Sequence, residues 1–370
     1  MAVIREDSES LFFTRLEHNE HKFVERCNGD TDGIVINLRF DSPGKHGRLK
    51  RAAIEKRLPF VIDIETWRLP FLSGPEDESF GSDVHTPLAA AVPLPLSPEV
   101  LGDQALFEAL VRAAVQAQAG ALYTFAPYFL ASSLSDPWLE VNLRALAEMR
   151  RIAPRQPLAA WIYVTFEAMM DGLVPYLADR YRDMLPPRSL VVLTVSDIRA
   201  GERTSEEIAT YLEAVESFRS TGLQVIADRA SEISVVAIAS GARGCMLGNR
   251  IYRTAPASPI WDNPYNPAIK LRYFDGARVE KVDRQTARAR ADMGKLDCRY
   301  APGDCGAIKA KKGENVLVRL HASHEMRDAL RRAERLGSAG LRRLWRDAPL
   351  KQLRDFAQAM ALVDARSQEA

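Results

Sequence analysis

One pattern recurs along most of this chain: a short, almost continuously apolar run, a polar break, and then a stretch with helical spacing. Ile34-Val-Ile-Asn-Leu-Arg-Phe40 is β-branched and closes on Asp41-Ser-Pro-Gly44, which predicts a buried strand running into a turn. The basic stretch Gly47 to Arg57 follows, with Leu49, Ala53 and Ile54 on one helical face. Phe60-Val-Ile-Asp-Ile-Glu-Thr-Trp67 predicts a second strand, and Ala121-Leu-Tyr-Thr-Phe-Ala-Pro127 a third, followed by a helix over 136–152. Leu158 to Val164, Leu190 to Ser196 and Leu223 to Asp228 each precede a helical stretch, over 167–184, 205–221 and 233–240. Gly244-Cys-Met-Leu-Gly248 completes a set of seven strands. Strands this uniformly apolar are buried on both faces, which is the mark of a parallel sheet covered by helices.

Regular strand–helix repetition over this length suits a (β/α)8 TIM-like barrel of ~250 residues, placed at residues 34–275. An open doubly wound sheet is the rival, because strand order is not written in the sequence. The eighth strand is expected from Ile269-Lys-Leu-Arg-Tyr-Phe274 or from Pro87 to Pro93. Residues 1–33 are then an N-terminal extension. Residues 276–370 form a basic, mainly helical C-terminal module.

The module stands out by charge. The whole chain carries 50 Lys+Arg against 49 Asp+Glu, yet residues 277–354 hold 20 basic and 10 acidic side chains. An acidic barrel joined to a basic tail suggests a polyanionic partner such as tRNA or DNA; solvated Arg-rich helices are the plainer alternative. Arg331, Arg335, Arg342, Arg343 and Arg346 are the expected contributors, with Arg327, Arg331 and Arg335 on one helical stripe. The 46% apolar and 27% charged residues exclude a mainly disordered chain. Four cysteines are too few for a disulfide scaffold. The acidic start and the lack of an apolar run of ~18 residues argue against export and membrane insertion. A cytoplasmic protein is the expectation.

In a parallel barrel the chemistry sits at the carboxyl ends of the strands. There the sequence offers Asn37 and Arg39, then Asp63 and Glu65, then Tyr163, Ser196 with Asp197, and Asp228 with Arg229. Asp63 and Glu65, two apart, share one face of a strand and are close enough for acid–base work. Trp67 can stack on a planar base and Arg68 can hold phosphate. Asp63, Glu65 and Asp228 are the catalytic candidates; Asn37, Arg39, Trp67, Arg68, Tyr163 and Arg229 are the substrate-binding ones. Each of these polar residues alone reads as well as a cap or rim ion pair, Asp197 and Ser231 especially. The acidic segment 72–86 suits either a lid or a plain surface insertion. The glycines at 241, 244 and 248 lack the spacing of a phosphate loop. Cys298 and Cys305, followed by His321 and His324, are residue types that ligate structural zinc, although a CxxC knuckle is missing.

Taken in order, these features resemble the tRNA-guanine transglycosylase superfamily and its DNA-modifying relatives. The resemblance lies in Val318 to Leu330, with His321 opening a long helix; in Cys298 and Cys305 before it; and in the strand–helix–strand stretch Ala227 to Gly248. It implies an eight-stranded barrel that exchanges a base at a glycosidic bond in nucleic acid. It also implies zinc on His321 and a carboxylate, Asp63, near the bound base. The chain departs from the family in three places. The cysteines form a lone C-x6-C, no aspartate stands in Gly244 to Asn249, and the Asp-Ser-Gly-Gly-Phe-Gln motif is absent. A catalytically silent barrel that binds nucleic acid or a protein partner therefore stands beside the enzyme. A barrel enzyme for a small phosphorylated metabolite, held by Arg39, Arg229 and Arg243, is the third reading.

Overall fold

The structure, a computed structural model, describes residues 10–16, 21–38, 47–72, 87–248, 273–282, 284–293 and 315–369. Its center is a parallel sheet curled into a nearly closed eight-stranded barrel. The strands are β1 (Leu11–Leu16), β2 (Gly33–Asn37), β3 (Phe60–Asp63), the split fourth position β4 (Thr124–Phe125) and β5 (Leu130–Ala131), β6 (Leu158–Val164), β7 (Leu190–Val195), β8 (Gln224–Asp228) and β9 (Gly244–Gly248). Their order is β3-β2-β1-β9-β8-β7-β6-β4, with β5 also on β6. No strand order crosses over at a switch point, so the doubly wound alternative fails.

The eighth strand comes from neither expected segment. Leu11–Leu16 lies between β2 and β9 and pairs in parallel with both. The barrel thus begins well before residue 34, inside the stretch expected to be an extension. The 87–93 region holds a short 3-10 turn at Ala89–Ala91. Tyr273–Asp275 forms β10, which pairs antiparallel with β11 (Glu280–Val282) in a separate hairpin. Physically, β1 was hidden because Thr14 and Arg15 interrupt its apolar run; both prove buried. Gly244 is required where β9 meets β1, since a Cβ there would lie 2.4 Å from the Leu11 carbonyl oxygen.

Pro127 splits the fourth position: lacking an N–H, it cannot continue a ladder. The side chain of Asn142 replaces the lost pairing, accepting from Phe129 N at 2.8 Å and donating to Phe129 O at 3.0 Å. The gap toward β3 is bridged by Leu122 N donating to Phe60 O at 2.8 Å. A second bridge is the Thr66 hydroxyl, which lies 2.6 Å from Tyr128 O and 2.7 Å from Tyr128 N. The bulge so formed turns Tyr128 toward the barrel axis.

Helices α1 (His21–Arg26), α2 (Gly47–Glu55), α3 (Gln104–Ala117), α4 (Pro137–Ile152), α5 (Phe166–Met170), α6 (Leu173–Met184), α7 (Ser205–Ser220) and α8 (Ile233–Ala239) cover the outside. The single helix expected over 167–184 is broken at Gly172, whose φ of 82° ends one helix and starts the next. Thr204 and Glu207 form a capping box at the start of α7. After α9 (Arg284–Asp292), the long α10 (Asn315–Trp345) kinks at Gly337 (φ 59°) and folds back as α11 (Lys351–Glu369). Helix α10 packs on α8 and α11 on α7, so the tail is an outer layer joined to the barrel.

Candidate active site

Five charged side chains meet at the carboxyl ends of the barrel strands. Arg15, from β1, reaches three strands at once. Its Nε and Nη2 bind both oxygens of Asp228 at 2.7 and 3.2 Å, while Nη1 donates to Asp63 at 2.8 Å and to Asn37 Oδ1 at 3.1 Å. Arg229 sits above, with Nη2 at 3.4 Å from both Asp63 and Glu65 and Nε at 3.8 Å from Asp228. Asn37 Nδ2 donates to Glu65 at 3.3 Å, and the buried Tyr128 hydroxyl donates to Asp63. Thr194 donates to Asp228 at 2.7 Å and accepts from Trp161 Nε1 at 2.9 Å. Trp161 forms the floor, with the Arg15 guanidinium 5.1 Å above its ring and Tyr128 stacked alongside at 5.2 Å.

The strands explain the convergence. Asn37 and Asp63 are register partners on β2 and β3, and Thr194 and Asp228 on β7 and β8. Side chains that point inward at one level of a barrel form a layer. Glu65 joins by a different route from the shared strand face expected for it. The strand ends at Asp63, and Glu65 takes a left-handed φ of 45°, with its N–H donating to Asp63 Oδ1 at 3.1 Å. Asp197, Arg229 and Ser231 also have left-handed φ values, between 51 and 54°. For non-glycine residues this costs ~1–2 kcal/mol each, and such strain collects at functional sites.

Electrostatics fixes the charge states of the donors. Burial lowers the Arg15 pKa, but Asp228 and Asp63 outweigh it, and the guanidinium stays protonated well above its ordinary value. Burial and then the repulsion of Arg15 pull Arg229 down, and Asp228, Asp63 and Glu65 leave it raised overall. Burial, reinforced by Asp63, pushes the Tyr128 phenol far up, so it remains a donor. Burial likewise raises Tyr163. Two cations therefore face three carboxylates. Asp63 and Asp228 are each held by short bonds. Arg229, with a side chain 15% exposed, is the charged group of the five nearest solvent.

The other expected site residues fall differently. Trp67 and Arg68 lie on a short 3-10 helix, Thr66–Phe71, and are buried. Trp67 packs edge-on to Tyr163 at 5.2 Å, and the Arg68 guanidinium lies 5.4 Å over Trp67. The indole is thus enclosed and is not offered at an open rim. Tyr163 is also buried. Arg39 and the lid candidate beyond Leu72 lie outside the described residues, as do Cys298 and Cys305. Ser231 donates to Glu232, a local turn contact. Gly241 (φ 100°) closes the turn after α8, as a helix end would.

His321 is fully buried on α10, with Nε2 3.1 Å from the Phe274 carbonyl. His324 points elsewhere, its ring nitrogens 3.8 Å from Asp30 and 3.3 Å from Asp328. No group of three metal-ligating side chains occurs among the described residues. In the basic tail, Arg327 is turned inward and bonds Asp32 and the Gly29 carbonyl. It therefore does not belong to a solvated cationic stripe. No described helix is long and apolar enough to cross a membrane.

Sequence reasoning missed Arg15, Tyr128, Trp161 and Thr194. The available signal was Arg15 alone in an aromatic run, Leu11-Phe-Phe-Thr-Arg-Leu16, where a buried arginine demands partners. Profiles of known protein families give no match to the chain, and comparison with curated proteins gives none either. A solved nitroalkane oxidase from Streptomyces ansochromogenes aligns over 97% of each chain, at 12% identity and a TM-score of 0.32. That likeness is too loose to bear on chemistry.

Proposed function

We propose that this barrel acts on the glycosidic bond of a base in a nucleic-acid strand, exchanging one base for another. The observation that supports it most is the convergence of Asp63, Glu65 and Asp228, from separate segments, around Arg15 and Arg229 at the carboxyl ends of the strands. The resemblance in layout to transglycosylases points the same way. Glu65 attacks the sugar carbon. The carbon–nitrogen bond to the base breaks as the carbon–oxygen bond to Glu65 forms. Arg229 stabilises the negative charge on the departing base by hydrogen bonding, and that base then takes its proton from water. A second base attacks the same carbon, loses its proton to water and releases Glu65. Asp63 and Asp228 position the two arginines. Zinc, if held by His321 with Cys298 and Cys305, would be structural and takes no part in these steps.

Incubation of the protein with bulk tRNA, or separately with duplex DNA, and radiolabelled guanine tests the proposal. Label should enter polymer with wild-type protein and fall at least a hundredfold with Glu65→Gln. No incorporation into either polymer overturns it. One observation favors a second reading, the catalytically silent barrel: β9 brings Cys245 and Met246 to the sheet and no carboxylate. On that reading the chain binds nucleic acid or a protein partner through its basic tail, without base exchange.

A further inference from the structure

The two tail helices enclose a groove of about 840 Å³ on the outside of the barrel, separate from the carboxylate cluster. Arg342, Arg343 and Arg346 line one wall and Lys351 and Arg354 the other, with Asp355 the one acid among the described lining residues. We infer that this groove grips the phosphate backbone of a single nucleic-acid strand. The inference extends the proposed function to the partner's backbone, and its test is independent of base exchange.

Three features support the assignment. First, the cations are not all consumed internally. Arg342 is paired with Asp364 at 2.6 Å and Lys351 with Asp355 at 2.7 Å. Arg354 binds the Ala348 and Pro349 carbonyls at 2.6 and 2.9 Å. Arg343 and Arg346 are exposed and have no ion pair with a described residue. Second, Lys351 is the first residue of the 19-residue α11, so the positive end of a helix dipole adds to the field of the side chains. Third, the spacing fits a strand. Arg342 and Arg346 are one turn apart, ~6 Å along the axis at 1.5 Å per residue, close to the ~7 Å spanned by two phosphate steps of ~3.4 Å in a stacked strand.

Shape separates a strand from a membrane. The positive charge lines the walls of a concavity, which a linear polyanion can enter and a flat headgroup layer cannot. Peripheral membrane helices also carry a continuous face of large apolar side chains, whereas the large exposed apolar side chains described on these two helices are Leu336 and Leu344.

The test is fluorescence anisotropy of the full chain with a labelled 12-nucleotide oligo(U) and oligo(dT), at 50 and 200 mM salt. Three neutralised phosphates predict a log–log salt slope of about −2 and a loss of about twentyfold in affinity over that range. Arg343→Glu/Arg346→Glu should weaken binding at least tenfold at 50 mM. Arg182→Glu/Arg199→Glu changes the charge equally at exposed barrel positions and should weaken it less than threefold. Oligo(U) and oligo(dT) carry no guanine and the assay requires no turnover, so failure of base exchange leaves this result standing. The inference is overturned by no binding at 50 mM, by a slope near zero, or by equal losses in the two arginine variants. Capture of phosphatidylglycerol-containing vesicles with no oligonucleotide bound overturns it as well.

Discussion

Replacing Arg15 with methionine removes the cation that joins β1 to β2, β3 and β8 while keeping most of its aliphatic volume. Four acceptor atoms lose a donor at 2.7–3.2 Å: both oxygens of Asp228, one of Asp63 and Asn37 Oδ1. Asp63 and Asp228 are 0 and 1% exposed, so water cannot take over. Breaking a buried pair by deleting one partner costs ~3–5 kcal/mol. Arg229 keeps its longer contacts, which places the expected loss toward the lower figure. At ~2.1 cal/mol/K per residue, this 370-residue chain shifts by roughly 1.3 °C per kcal/mol, so the melting temperature should fall by about 4 °C. Calorimetry on wild type, Arg15→Met, Asp228→Asn and the double variant gives the coupling directly. The double variant should be more stable than the sum of the single losses predicts, by ~1–3 kcal/mol. A melting temperature within ~2 °C of wild type for Arg15→Met, or strict additivity, would refute the reasoning.

Two further outcomes follow from the same structure. Burial raises the Glu325 carboxyl to about 7, against its contacts with His321 and Gly276 N. The folded state therefore holds a proton that the unfolded chain gives up, and this contribution is present at pH 4 and lost as pH rises through 7; Glu325→Gln should flatten the decline in melting temperature between pH 5 and 8, and an unchanged profile contradicts the assignment. Thr66→Val should cost ~1–3 kcal/mol by chemical denaturation, because it strips the buried Tyr128 N–H and carbonyl of the hydroxyl that bridges the barrel gap; a loss under ~0.5 kcal/mol would mean that the gap closes without it.

The parallel barrel was legible because seven of its strand positions are apolar on both faces, a pattern that surface strands do not share. Closure was not. The strand that completes it carries Thr14 and Arg15, and a buried arginine looks like a surface residue until its acid partners, 48 and 213 positions away, are in place. Asp63, Glu65 and Asp228 were legible as strand-end carboxylates, and they do assemble. The manner of assembly was not, because the left-handed turn at Glu65 is carried by an ordinary side chain and has no glycine to announce it. Trp67 shows the opposite limit: a residue type suited to stacking on a base is instead spent on Tyr163. Nor could the sequence show that Arg327 turns inward to Asp32 while Arg343 and Arg346 remain at the surface, since helical spacing fixes a face and leaves open what packs against it.

The central claim is that Glu65 and Arg229 form a site for a base at the mouth of the barrel. Titration calorimetry with guanine on wild type, Glu65→Gln and Arg229→Met tests it without requiring turnover. The account predicts saturable one-to-one binding to wild type. It predicts a loss of at least tenfold in each variant, on the scale of ~1.5–3 kcal/mol for a hydrogen bond to a charged group. No heat of binding with wild type, or equal affinity in all three proteins, would contradict it.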